Sequence, residues 1–318
     1  MKRQASTQPA EDAALPAKRA GRQASDWFSP ELIIRLEILR LFAPLAILGF
    51  LSSRIAYTDQ WISEDGFCLP DLGIQDVHDA VYLPPIPVWA AWYVSGLLVV
   101  CGLSVAAGFK TRLSASAFAV LLVYVAMADR LAAFTVNRIA PMVALAICLS
   151  PAGTRFSVDA WLTRRRLKGE GVVPRIDHAS GGTIRFFQAF LVVFYTASGI
   201  CKARGDWLTH PAVLWTHLHD SYQTAFTLVL ANSLPGPMWT LFQAVTLAFE
   251  CGALVWLVPR RLRPFGLGFG LGMHLLIGLM FGPVLWFSLL MMTLLSASFL
   301  PERLLERLTV KLAAYSGL

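Results

Sequence analysis

The chain has 318 residues, of which 56% are hydrophobic and only 15% charged, with a mean hydropathy of +0.58 and a formal net charge of +7. A water-soluble protein of this length would bury its cores beneath a far more charged surface, so composition excludes an ordinary soluble domain. The apolar residues fall in long blocks between clusters of arginine, proline and acidic residues. That pattern predicts an all-α polytopic membrane protein, a bundle of about eight transmembrane helices with no large soluble domain.

Residues 1–28 are rich in Ala, Gln, Lys and Arg without apolar periodicity, and read as a disordered cytoplasmic tail. The transmembrane domain is expected over 29–302. Its first span runs from about Ile33 to Ile55, with Arg35, Glu37 and Arg40 at the leading end. An acidic connection, 56–85, carries Asp59, Glu64, Asp65, Asp71, Asp76 and Asp79. Spans at 86–109 and 113–133 are joined by the tight Lys110-Thr111-Arg112 turn, and a fourth runs over 137–150. A basic loop follows, then a fifth span at 184–202 and a long connection, 203–237, with Trp215 and the His217-Leu218-His219-Asp220 cluster. The last three spans are 238–258, 264–281 and 284–300, and a short basic cytoplasmic tail, 303–318, ends the chain.

Alternate loops segregate charge. The N-terminal tail, Lys110/Arg112, 151–183, Arg260/Arg261/Arg263 and the C-terminal tail hold nearly all the basic residues. By the positive-inside rule both termini of this multi-pass protein are cytoplasmic in the cell membrane, and Lys202 faces the extracytoplasmic side. The positive charge then reports topology and contact with the lipid bilayer, not nucleic-acid binding.

The five cysteines form no metal or disulfide framework: Cys101, Cys148 and Cys251 read as small apolar residues, and only Cys68 and Cys201 could pair on the outer side. The glycines from Gly266 to Gly272 lie in an apolar span and read as close helix packing, not a phosphate cradle. No metal is expected.

The informative polar residues lie inside the apolar blocks. Gln188, Tyr195 and Lys202 recur every seven residues, with Ser198 and Gly199 between the last two, and so share one helix face. A lipid-facing helix has no use for such a seam. Lys202 is open to two readings, an interfacial anchor beside Trp207 or a functional cation. Glu250 falls near the midplane and His274 roughly 12 Å below its outer turn. Neighbouring helices would bring them together, as a structural pair or a catalytic one. Asn137 and Arg138 open the fourth span, where they could cap and anchor it or contribute to a site. Four polar features in the outer half of one bundle are what a site requires.

The stretch QAFLVVFYTASGICKARGDWL, with LPP-PVW before the second span, GFKTRLSA, SVDAWL and PRRLRP, resembles the HTTM (horizontally transferred transmembrane) domain family. That family includes the membrane domain of the vitamin K-dependent γ-glutamyl carboxylases. The resemblance covers most of 30–300 and implies that Lys202 is the catalytic base. It further implies that His274 stabilises a developing anion, with Glu250 orienting it. Asn137, Arg138 and Tyr195 would contact substrate or quinone. The implied cofactor is reduced vitamin K or menaquinol entering from lipid, used with O2 and CO2, and the implied substrate a secreted peptide. Arg138 stands where the carboxylases have histidine, Cys201 where they have a second lysine, and no large extracytoplasmic domain follows Leu300. Two other readings stay open. One is a non-catalytic membrane accessory for export, maturation or immunity of a secreted peptide; the other is a quinone-linked redox protein of the DoxX type.

Overall fold

The computed structural model describes residues 27–66, 83–129, 135–167, 177–219 and 222–316. Most of the acidic connection, Cys68, Asp220 and all but the last two residues of the N-terminal tail lie outside them. A three-residue strand β1 (Pro30–Leu32) leads into α1 (Ile34–Ala56), and a single turn, α2 (Thr58–Trp61), follows. Helix α3 (Val88–Ala107) stops at Gly108, whose φ of +72° suits glycine and ends the helix by a left-handed cap. Next come α4 (Thr111–Ala128), α5 (Thr135–Leu149), α6 (Val158–Leu167), strand β2 (His178–Ser180) and α7 (Gly182–Arg204). Beyond α7 lie the short α8 (Val213–His217) and α9 (Ala225–Ser233). The chain then runs through α10 (Gly236–Cys251), α11 (Ala253–Leu257) and α12 (Arg263–Met280). A 3-10 turn (Gly282–Val284) opens α13 (Leu285–Phe299), and α14 (Glu302–Ser316) closes the chain.

The molecule is a multi-pass membrane protein. Among the described residues five segments are long and apolar enough to cross a bilayer: α3, α4, α7, α12 and the continuous Gly282–Phe299 stretch; α5 is apolar but shorter. The predicted span 238–258 is instead two helices broken at Gly252. There Trp256 folds back, and its Nε1–H donates to Ala248 O at 3.3 Å. A Cβ on Gly252 would sit 2.7 Å from that indole nitrogen. The described residues are mostly helical and hold no large sheet, only one short strand pair. Strands β1 and β2 pair antiparallel, Pro30 opposite Ser180 and Leu32 opposite His178. Segments of three residues carry no readable period.

The core is built along α1 and α13. Leu36, Leu39, Ala43 and Ile47 of α1 are buried with Leu290, Leu294 and Leu295 of α13 and Val143 and Ile147 of α5. One end of this core is pinned by charge. Glu37 and Arg40, both buried, form an ion pair at 2.9 Å. Arg40 also donates to the carbonyls of Val105, Ala106 and Phe156, and Glu37 accepts the backbone N–H groups of Gly153 and Arg155. Every strong donor and acceptor of the pair has a partner, which makes two buried charges tolerable. Helix α7 begins at this end, beside β2, and its 23 residues carry the chain to the opposite end at about 1.5 Å each.

Candidate functional site

The polar seam of α7 meets a different helix at each step. Gln188 Nε2 donates to Ser298 O of α13 at 2.7 Å, Tyr195 Oη shares a 2.7 Å hydrogen bond with His274 Nε2 of α12, and Lys202 Nζ donates to Glu250 Oε1 of α10. Around it Phe187 and Leu191 are buried, while Val193 and Ile200 are exposed on the bilayer side. A glycine makes the last step possible. A Cβ on Gly199 would lie 2.6 Å from the backbone nitrogen of Cys251, so the two helix backbones approach closely there. That approach sets Ser198 and Lys202 against Glu250, whose Oε2 accepts from Ser198 Oγ at 3.1 Å.

The expected Glu250–His274 pair is therefore replaced by two separate pairs. No hydrogen bond joins these two side chains among the described residues; Glu250 is held by Lys202 and Ser198, His274 by Tyr195. Glu250 is buried and Lys202 partly open. The buried carboxylate keeps a cationic partner, as its desolvation requires. Lys202 is thus more than an interfacial anchor, although its ammonium also lies 5.0 Å from the centre of the Trp207 ring. Cys201 carries a free thiol.

Lys202 and Glu250 open onto a cavity of about 330 Å³ walled by Trp239, Phe242, Met273, Ile277 and Phe281. That volume is at the small end of the range for small-molecule sites, roughly 300–1,000 Å³, and its make-up is the usual one, an apolar wall with few polar groups. Among the described residues two buried donor-capable atoms have no partner: Trp239 Nε1, of a residue on the cavity wall, and Nδ1 of His274, which follows the wall residue Met273 in the chain. Such orphans are costly unless a ligand or water meets them. The combination has room for a small, largely apolar ligand with a polar edge.

The cavity has a cover that the sequence did not announce. Gln243 is buried in α10, and its Nε2 donates to Trp207 O at 2.7 Å and His210 O at 3.0 Å, while its Oε1 accepts from Leu214 N–H. One side chain thereby holds the 207–214 segment over the site. A glutamine amid the apolar residues of 241–249 was a usable signal for it. Thr224 and Thr227 tie the far side of the cover to the Leu279 and Met280 carbonyls. His217 and Tyr222 complete the wall.

Asn137 and Arg138 do not join this cluster. They stand at the start of α5, Asn137 buried among Ile47, Leu122 and Val136, Arg138 exposed. A second cavity, about 610 Å³, lies towards that side and shares Tyr222 with the first; Arg54, Thr135, Trp286 and Phe287 line it. Phe287 meets the His274 ring edge-on, with centroids 5.7 Å apart.

A family profile described as HTTM domain matches residues 75–301, which takes in α3 through α13 and every residue of the site. No curated protein and no solved structure matches the chain.

Proposed function

The chain belongs to the HTTM family, and we propose that it is a quinol-dependent, carboxylase-like membrane enzyme whose proton acceptor is the Lys202–Glu250 pair. The observation that carries this reading is the pair itself, a buried carboxylate and a lysine facing one small apolar cavity beside two unpartnered buried polar atoms. In this role Lys202 passes a proton to Oε1 of Glu250, to which it is hydrogen-bonded, and takes one from a ring hydroxyl in the cavity. Ser198 steadies the other carboxylate oxygen. His274, oriented by Tyr195, and the indole N–H of Trp239 bind ligand oxygens, and Phe242, Met273 and Phe281 hold the ring and exclude water. A quinol held by these residues would supply, together with dioxygen, the basic chemistry needed to remove a carbon-bound proton ahead of carbon dioxide addition. The orientation that goes with this reading puts both termini in the cytoplasm and the site on the outer side.

The experiment is direct: purify the protein from its membrane, extract with organic solvent and assay naphthoquinones. The reading expects about one quinone per chain from the native protein and a clear loss from Trp239→Phe; extracts without quinone from both would contradict it. One observation favours the accessory reading instead, since both Glu250 oxygens are satisfied and the pair could serve only to lock α7 to α10.

A further inference from the structure

The opposite end of the bundle carries a second candidate site that does not depend on the first. The α3–α4 turn, the 151–154 loop and α6 border a cavity of about 660 Å³ lined by Lys110, Arg112 and Arg164, with Asp159 the single carboxylate among the described residues on its wall. Asp159 is already engaged: Oδ1 accepts the Lys110 N–H, and Oδ2 accepts from the Thr111 N–H and hydroxyl. No ion pair neutralises Lys110, Arg112 or Arg164 among the described residues. Arg164 donates Nη2 to Arg155 O at 3.0 Å, yet its Nε is buried without an acceptor. Among the described residues the cavity thus presents three cations, one of which carries a buried N–H without an acceptor.

Two further features point the same way. Lys110 has φ +44°, the one positive value among the described non-glycine residues, and a lysine is strained in that region. The Asp159 carboxylate holds this conformation through the Lys110 and Thr111 amides. The rim, in turn, is apolar and exposed: Phe109 and Leu113 (66% exposed) adjoin Lys110 and Arg112 in the chain, and Arg165 lies over the ring of Trp161, 4.4 Å from its centre. Tryptophan beside basic residues is the arrangement of a membrane interface. An inorganic ion would use the cations alone, whereas a ligand with an acyl tail would use the rim as well.

We propose that this cavity binds the phosphate headgroup of an anionic phospholipid, with Lys110, Arg112 and Arg164 on the phosphate and an acyl chain along Leu113. Asp159 acts as the positioning residue: by bonding the Lys110 and Thr111 amides it holds the α3–α4 turn in the shape that lines up the cations. Basic pockets at the ends of transmembrane helices serve headgroups in this way.

The test uses the full chain in dodecyl maltoside and reads the unfolding midpoint during titration with phosphatidylglycerol, phosphatidylcholine or inorganic phosphate. Phosphatidylglycerol should raise the midpoint saturably and phosphatidylcholine should not. In the triple variant K110N/R112Q/R164Q the half-saturating concentration should rise at least tenfold. Should that variant not fold, Lys110→Asn alone serves, because asparagine accepts the left-handed backbone. It should fold at least as stably without lipid yet need several-fold more phosphatidylglycerol. An equal response in wild type and variants, equal shifts with both lipids, or no shift in the wild type would overturn the site. A full shift with inorganic phosphate alone would overturn the lipid as its occupant.

Discussion

Two buried ion pairs sit at opposite ends of this bundle, and they differ in what surrounds them. Glu37–Arg40 is sealed: both residues are buried, and carbonyls of two other segments and two backbone amides use the remaining donors and acceptors. Lys202–Glu250 is half open. Its lysine is on the wall of a cavity, and unpartnered Trp239 and His274 atoms lie beside it. A charge network that leaves nothing unsatisfied has its work done by folding, whereas one bordered by orphans awaits something that is not protein. The first pair thus has the surroundings of a structural lock, and the second those the proposed chemistry would need.

The contrast can be broken most forcefully at the sealed pair. Glu37→Ala leaves Arg40 and two amides buried without their acceptor, and should cost about 3–5 kcal/mol. In a membrane expression trial the folded, detergent-soluble yield should collapse. An unfolding midpoint close to wild type would mean that this end of the bundle is not closed by charge. Truncating Glu250 to alanine should cost less, about 1–3 kcal/mol, because Lys202 can still reach water.

A double-mutant cycle sharpens the same comparison. Glu250→Ala and Lys202→Ala should couple by about 0.5–3 kcal/mol, while Glu250→Ala and Tyr195→Phe should be nearly additive. Coupling of the second pair alone would restore a direct link between the glutamate and the histidine side of the site. Tyr195→Phe by itself should be mild, about 0.5–1.5 kcal/mol, since the ring keeps its contact with Phe249 and only the bond to His274 goes.

The smallest effect on stability is expected from labelling probes. Thr209→Cys beside the open pair and Thr163→Cys in α6 both replace exposed residues. Thr209→Cys should react with an impermeant thiol reagent added outside intact cells and Thr163→Cys should not. The reverse pattern would turn the proposed orientation over.

How much of this was legible in the sequence follows from what periodicity carries. A seven-residue recurrence puts Gln188, Tyr195 and Lys202 on one face of a helix, and the structure finds all three turned to protein partners. Periodicity does not say which helices are neighbours. Glu250 was legible as a residue needing a partner, yet the choice between His274 and Lys202 was made by the close approach of Gly199 to Cys251, a tertiary contact across 52 positions. The same limit applies to Asn137, which is buried as a polar residue in an apolar helix should be, but against α1 and α4 rather than at the cavity. The break at Gly252 was hidden because hydropathy runs straight through it. Glu37 and Arg40 were visible only as charges at the head of a span, since their acceptors and donors are backbone groups that leave no trace in side-chain patterns.

The central claim is that Lys202 loses and gains a proton, and Lys202→Arg tests it most directly. Arginine preserves the charge and can keep the bond to Glu250, but it does not give up its proton under these conditions. At matched folded abundance, the account predicts that quinol consumption by Lys202→Arg falls about 100-fold or more, to the level of Lys202→Ala. It also predicts that small exogenous amines restore part of the activity of the alanine variant. Full activity in Lys202→Arg would contradict the account and leave Lys202 as the cation that locks α7 to α10.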